Sequence, residues 1–188
     1  YYHYDRDTFR LNSLKTRRSD QSVLQDLGYT YDPVGNVLKI EDRSAPTVFF
    51  GNHAVDAQSI YRYDALYQLV EAKGREHAGQ ANLSDHDNWN DQSFVKSYQA
   101  NDAMAWRDYT QSYQYDAVGN MTQLHHQATG GTYVRDYQYD IATNRLLSTQ
   151  VGQHTYSYQY HGQHGMIQSL PHLSLMSWNF RDELQAVA

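Results

Sequence analysis

The chain is 188 residues long, carries a net charge of −6 from 15 Lys+Arg against 21 Asp+Glu, and contains 18 tyrosines but no cysteine. That balance lacks the basic footprint of a nucleic-acid binder, no apolar run approaches the roughly 18 residues of a membrane span, and the missing thiols exclude disulfide scaffolds and thiolate sites. An aromatic content of 14% argues against disorder, and the length suffices for one large or two small domains with a sizeable core.

A repeat governs the chain from its start. Tyr2-His3-Tyr4-Asp5 is the first copy of a Tyr-x-Tyr-Asp tetrad, and no charged-then-apolar leader precedes it. The second copy, at Tyr29, Tyr31 and Asp32, runs on as YDPVGNVLKI through Gly35 and Asn36. Alternate residues of a strand share a face, so Tyr-x-Tyr places two rings together. The aspartate then opens a turn, where its carboxylate can accept backbone N–H groups two residues on. Gly35-Asn36 supplies residues that tolerate positive φ, and apolar alternation resumes at Leu38 and Ile40. Each copy therefore predicts a β-hairpin entered through tyrosines and left through aliphatics.

The third copy, Tyr61, Tyr63 and Asp64, has Tyr67 where the glycine stood. Leu66, Leu69 and Val70 compete there as a helix, but the place in the repeat predicts a hairpin. A long insertion follows, expected as a loop over residues 76–108, with Trp89 and Trp106 as candidates for an outward contact. The fourth copy, Tyr113, Tyr115 and Asp116, continues through Gly119 and Asn120. The fifth, Tyr137, Tyr139 and Asp140, has Thr143 at the glycine position and Asn144 available for positive φ. Two decayed copies close the series, YQYHGQHGMI with His161 and WNFRDELQAV with Arg181 in the aspartate's place. The fold class predicted is all-β: irregular antiparallel hairpins in one curved or spiralling sheet, a single repeat region over residues 1–188.

Chemistry is poorly supported. His125 and His126 are adjacent and point to opposite faces of a strand, while His161 and His164 lack a third ligand, so no metal site is expected. The aspartates recur at equivalent places, as turn residues do, whereas a catalytic pair is unique within a fold. No nucleophile elbow, zinc-protease or nucleotide fingerprint occurs. No catalytic residue and no cofactor are expected. Tyrosine and tryptophan faces edged by amides do suit sugars, which keeps a carbohydrate or cell-surface binding module as the alternative function.

Five tetrads, two of them extended to YDxVGN, resemble the Rhs/YD-repeat family. Within it, YRYDALYQLVEAKGREHAGQ from Tyr61 looks like the C-type subunits of insecticidal toxin complexes. The resemblance covers most of the chain. It implies a secreted, hollow β-shell around a C-terminal toxin, with three partners: the remaining repeat segments of a longer parent chain, a B-type subunit completing the shell, and the enclosed toxin. It also implies that this chain is a piece, with strand edges open to pairing. The family's RYYD…DPxG release junction is not found, and Asp32-Pro33-Val34-Gly35 reads as a turn.

Overall fold

A computed structural model describes residues 1–78, 104–162, 164–170, 173 and 175–187. It contains seventeen strands: β1 (Tyr2–Tyr4), β2 (Leu11–Arg17), β3 (Val23–Tyr31), β4 (Val37–Asp42), β5 (Val48–Phe50), β6 (His53–Val55), β7 (Gln58–Tyr63), β8 (Leu69–His77), β9 (Trp106–Tyr115), β10 (Met121–Ala128), β11 (Tyr133–Tyr139), β12 (Leu146–Val151), β13 (His154–Ser157), β14 (Gln159–Tyr160), β15 (Ile167–Ser169), β16 (Met176–Trp178) and β17 (Leu184–Val187). Eleven of them form one antiparallel sheet in the order β1-β2-β3-β4-β7-β8-β9-β10-β11-β12-β13, an open ribbon whose neighbours follow chain order. Two-stranded pairs β14-β15 and β16-β17 continue the hairpin series, and β5-β6 is a small hairpin inserted between β4 and β7. The described residues contain no α-helix.

Every tetrad falls at the tip of a hairpin, as the repeat predicts. The helix that competed over Asp64–Lys73 is the β7-β8 hairpin. In the seven hairpins of the repeat series, unlike β5-β6, β10-β11 and β12-β13, the second residue of the exit strand has no partner: Asn12, Leu38, Val70, Thr122, Leu147, Gln168 and Gln185 are each skipped in the register. A bulge adds one residue to one strand, bends it and increases the local right-handed twist. Repeating it at the same place in each of these hairpins curves the ribbon progressively without closing it.

The sheet has two unlike faces. Along one row Tyr61, Ala72, Gln111, His126 and Tyr133 lie opposite one another in successive strands. The tyrosines on this face are half-buried, and the residues between them (Thr30, Arg62, Gln114 and Gln138) are exposed. The other face carries a polar lattice that includes Lys15–Asp26, Arg62–Glu71 and Lys73–Glu71 ion pairs. The length alone led to the expectation of a sizeable core, and the ribbon does not build one. Among the described residues the buried apolar side chains are Val48, Val55, Ala72, Ala105, Ala128 and Val151. Among the described residues only the β5-β6 hairpin, packed against β9, covers part of the sheet, so most rings are shielded chiefly by their cross-strand neighbours.

The expected loop at 76–108 is shorter at both ends, because β8 runs to His77 and β9 begins at Trp106. Residues 79–103, including Trp89, lie outside the described residues.

Candidate functional site: the stitched tyrosine face and its turns

The turns come in two lengths, a distinction the spacing of the tetrads does not reveal. In the shorter form the Asp32 N–H donates to the Asn36 carbonyl and Gly35 N–H to the Asp32 carbonyl, and Asp64 and Asp116 repeat this pattern. Positive φ falls on the fourth residue: Gly35 at 112°, Tyr67 at 63° and Gly119 at 97°. In the longer form the Asp5 N–H donates to Arg10, Asp140 to Arg145 and His161 to Met166. Positive φ then moves to the fifth residue, Phe9, Asn144 or Gly165. Asn144 therefore takes the glycine role as expected, whereas at Asp64 the role falls on Tyr67 itself. An L-residue there pays roughly 1–2 kcal/mol against the left-handed region.

Each aspartate is an acceptor hub. Asp32 Oδ1 accepts from the Gly35 and Asn36 amides at 2.7 and 2.8 Å, and Asp116 Oδ1 from Val118 and Asn120 at 3.0 and 2.8 Å. Asp64 does the same with Leu66 and Gln68. Asn36 and Asn120 were expected to tolerate positive φ, but they serve instead as donors, each sending Nδ2 to the aspartate's second oxygen at 2.8 and 2.9 Å. In the longer turns the Thr8 and Thr143 hydroxyls donate instead to the same Oδ1 that accepts the backbone amides. Such bonds favour the charged form. The Thr8 amide and hydroxyl hold Asp5 below the usual carboxylate value, and the Thr143 hydroxyl and amide do so at Asp140. At Asp32 desolvation works the other way, yet the Asn36 and Gly35 donors prevail; at Asp116 the Asn120 side chain leads.

The last hairpin corrects the sequence register. Arg181 is not the aspartate equivalent. Asn179 is, because its N–H donates to Glu183, its carbonyl accepts from Asp182, and its Oδ1 accepts from Arg181 and Glu183 amides at 2.8 and 3.1 Å. Trp178 accordingly stands where the second tyrosine of a tetrad stands, and Asp182 takes the positive φ at 62°.

That second aromatic performs the same act in hairpin after hairpin. Tyr31 Oη donates to the Leu11 carbonyl at 2.8 Å, Tyr63 to Val37 at 3.0 Å, Tyr115 to Leu69 at 2.8 Å and Tyr160 to Leu146 at 2.8 Å. Trp178 Nε1 donates to Ile167 at 2.7 Å. The acceptor is always the first exit-strand residue of the preceding hairpin, beside the bulge. The tetrads at Tyr31, Tyr63 and Tyr115 and the two decayed copies at Tyr160 and Trp178 thus tie their own turns to the ones before, each stitch worth about 1 kcal/mol. Arginines add a clasp in two places. Arg10 donates to the Asp32 and Pro33 carbonyls at 2.7 and 2.9 Å with its guanidinium over the Tyr31 ring, and Arg145 lies over Tyr160.

The first tyrosines of the tetrads line the face. Tyr29 stacks on Tyr31 with centroids 6.5 Å apart. Burial, then the neighbouring tyrosine hydroxyls, push Tyr113 up to about 12. Tyr137 and Tyr139 occupy the corresponding places on β11, while Tyr2 and Tyr4 sit exposed on the edge strand β1.

A largely buried charged cluster on this face comes from residues the sequence reading did not connect. Glu76 and Arg107 lie directly opposite each other, with Arg107 Nε and Nη2 at 2.8 Å from Glu76 Oε1. Arg107 Nη1 also donates to the Thr129 carbonyl. His126 Nε2 is 3.2 Å from Glu76, its Nδ1 is 3.2 Å from Gln111 Nε2, and Tyr113 Oη donates to Gln111 Oε1 at 2.6 Å. Because Gln111 Oε1 is taken by Tyr113, its amide N–H faces Nδ1, and the imidazole presents Nε2–H to the carboxylate. The ring is sandwiched between Tyr109 and Tyr133, at 5.4 and 4.9 Å. Close packing here requires Gly74, since a Cβ would meet the Tyr109 hydroxyl at 2.9 Å and its Cζ at 3.0 Å. The charged pair ties the two strands that flank the insertion. His125, as expected, points to the opposite face.

Trp106, expected as an outward contact, is half-buried in β9, with the Arg75 guanidinium 4.7 Å from its ring centre and His77 packed edge-on at 6.0 Å. His161 and His164 do approach each other, with ring centres 5.3 Å apart, and His164 faces Asp182 at 3.4 Å. Among the described residues no group of three His, Asp or Glu side chains could hold a metal ion, and no helix is long and apolar enough to cross a membrane.

No protein-family model matches the chain. It is 38% identical over 151 residues to the toxin subunit YenC2 of Yersinia entomophaga, an alignment covering 77% of this chain and 15% of that protein. To the toxin subunit YenC1 of the same organism it is 36% identical over 197 aligned positions, 99% of this chain and 19% of the relative. Among solved structures, the TcdB2-TccC3-Cdc42 crystal structure matches with a TM-score of 0.72 and 32% identity over 99% of this chain and 9% of that one. The Photorhabdus luminescens Tc holotoxin pore matches at 0.71 and 32% over 99% and 8%. The chain is thus homologous to the Yersinia entomophaga toxin subunits YenC1 and YenC2, spans less than a fifth of their length, and has the antiparallel β fold of a stretch of the Tc toxin chains.

Proposed function

We propose that this chain is a non-enzymatic wall segment of a YD-repeat shell, in a secreted toxin complex, whose task is to enclose a toxin until delivery. The observation that carries the reading is the repeated stitch: in five hairpins an aromatic donor is fixed to the preceding hairpin beside an equivalent bulge. A binding site needs one or two special residues, whereas a wall needs the same joint everywhere. Hairpins that add side by side satisfy each other's backbone groups and extend without limit.

In this reading residues 1–188 form one repeat region with an insertion between β8 and β9. The partners are further repeat segments of a longer parent chain, a B-type subunit completing the shell, and the enclosed C-terminal toxin. The Tyr-x-Tyr pairs and their turn residues, from Tyr2 and Asp5 through Asn144, are its structural residues. Limited proteolysis of the full-length protein tests it. The C-terminal segment should survive in the native protein and be cut once Glu76→Ala has weakened the wall. Equal cleavage in both proteins would contradict enclosure.

A further inference from the structure

The turn of β14-β15 breaks the rule that the other turns of the series follow. Asp5, Asp32, Asp64, Asp116, Asp140 and Asn179 each accept turn amides through a side-chain oxygen. Among the described residues, His161 closes its turn with backbone bonds alone, from its N–H to the Met166 carbonyl and from the Gly165 N–H to its own carbonyl. Its imidazole lies beside His164 instead, with ring centres 5.3 Å apart. The hairpin closes without either ring.

Both histidines are exposed, and they open onto a cleft of about 490 Å³ between β14-β15 and β16-β17, whose walls include Met166, Met176, Trp178 and Asp182. Met176 and Trp178 are two apart on β16 and share a face. The Trp178 stitch to the Ile167 carbonyl turns that face toward β14-β15. Two imidazoles and two thioethers therefore line one cavity, three of them from the turn His161–Met166 and the fourth from the next hairpin. His164 Nδ1 lies 3.4 Å from Asp182 Oδ1. An ionised carboxylate only accepts, so Nδ1 carries the proton and Nε2 keeps its lone pair for a ligand. An outer carboxylate orients a metal-binding histidine in the same way.

Donor chemistry selects the ion. Imidazole suits zinc, nickel and copper alike, but a thioether is a soft donor that favours cuprous copper. Zinc sites draw on thiolate, imidazole and carboxylate, and among the described residues no group of three His, Asp or Glu side chains meets that need. The chain has no cysteine, so none of its side chains competes as a thiolate. We propose that His161, His164, Met166 and Met176 form a cuprous-ion site between the last two hairpins, with Asp182 positioning His164. The ion adds a tie between hairpins that the Trp178 stitch already joins. The sequence pattern conceals the site because Met176 reaches the cleft only through the fold.

The test titrates cuprous ion into the full-length protein without oxygen, against a chromogenic cuprous chelator. Wild type should hold one equivalent more than Met166→Leu/Met176→Leu, which keeps the apolar bulk of both side chains. His161→Asp, which installs the carboxylate found at the other turns, should lose the same equivalent. Met121→Leu, on β10, should bind as wild type does. X-ray absorption should show sulfur beside nitrogen neighbours in wild type, with the sulfur gone in the methionine variant. Asp182→Asn tolerates the same positive φ; it should weaken the ion by roughly 10–100-fold and leave the metal-free denaturation midpoint unchanged. Equal stoichiometry and affinity in wild type and both ligand variants would overturn the proposal. So would displacement of the ion by zinc, or loss in His161→Asp with full retention in Met166→Leu/Met176→Leu, because either leaves a plain histidine pair without thioether ligation.

Discussion

Single atoms decide whether consecutive hairpins stay in register. Tyr63→Phe keeps the ring but leaves the Val37 carbonyl without its donor. It should lower stability by roughly 0.5–1.5 kcal/mol, read as a shift of the denaturation midpoint without a change of slope. Tyr61→Phe, the first tyrosine of the same tetrad, which makes no stitch to the preceding hairpin, serves as the contrasting control. The turn carboxylates set the acid limit. Asp5, Asp32, Asp116 and Asp140 all have folded values below the ordinary 3.8, so their contribution is present above that value and disappears as pH falls through the depressed ones. Denaturation followed from pH 6 downwards should show stability holding to about pH 4 and then declining, and a flat profile would contradict the hub role. At the alkaline end Tyr113 keeps its proton to about 12, so the neutral form supports the fold up to the ordinary tyrosine value and that support is lost between 10 and 12. Burial also raises Tyr31, Tyr63, Tyr109, Tyr115, Tyr139 and Tyr160, so ultraviolet titration should find a late-ionising group of tyrosines whose highest step Tyr113→Phe removes.

At the level of the hairpin, much was legible and some was not. Each of the five tetrads marked a hairpin tip, because Tyr-x-Tyr alternation and an Asx-type turn opener are local signals that no tertiary contact needs to supply, whereas the turns of β2-β3, β5-β6, β10-β11 and β12-β13 carry no tetrad. Turn length was hidden, since a fourth-position or fifth-position left-handed residue depends on where the exit strand re-enters the ladder. The repeated bulge was hidden for the same reason: Leu38, Val70 and Gln168 share no residue type, only a place in the register. The last copy misled because Trp178 and Phe180 imitate a Tyr-x-Tyr pair, while the actual turn opener is Asn179. These assignments make opposed predictions. Tyr67→Gly relieves a φ of 63° and should stabilise the β7-β8 hairpin by up to about 1 kcal/mol. Gly119→Ala should do the reverse, at a φ of 97° with Gln68 Nε2 only 3.2 Å from the new methyl. Thermal denaturation of the two variants should move in opposite directions, and parallel shifts would contradict the turn assignment.

Across the described residues the ribbon relies on strand-to-strand joints, with only the β5-β6 hairpin packed over the sheet at β9. The Glu76–Arg107–His126 group is a largely buried charged joint that was invisible in the sequence, since its members come from three strands with the insertion between the first two. The available signal was Glu76 itself, a charge that follows Ala72 and Gly74 on the tyrosine face. Removing one partner of a buried pair leaves the other charge uncompensated. Glu76→Ala should therefore cost roughly 3–5 kcal/mol, with hydrogen exchange rising first in β8 and β9, whereas exchange spread evenly over the sheet would argue against a local clasp. The most direct test of the wall reading is electron microscopy of the full-length protein assembled with its partner subunit. The reading predicts that residues 1–188 appear as a continuous curved strip in the wall of a hollow body, with β1 and β17 each paired to further strands. Finding this region folded apart from any shell, with both edges open to solvent, would contradict it.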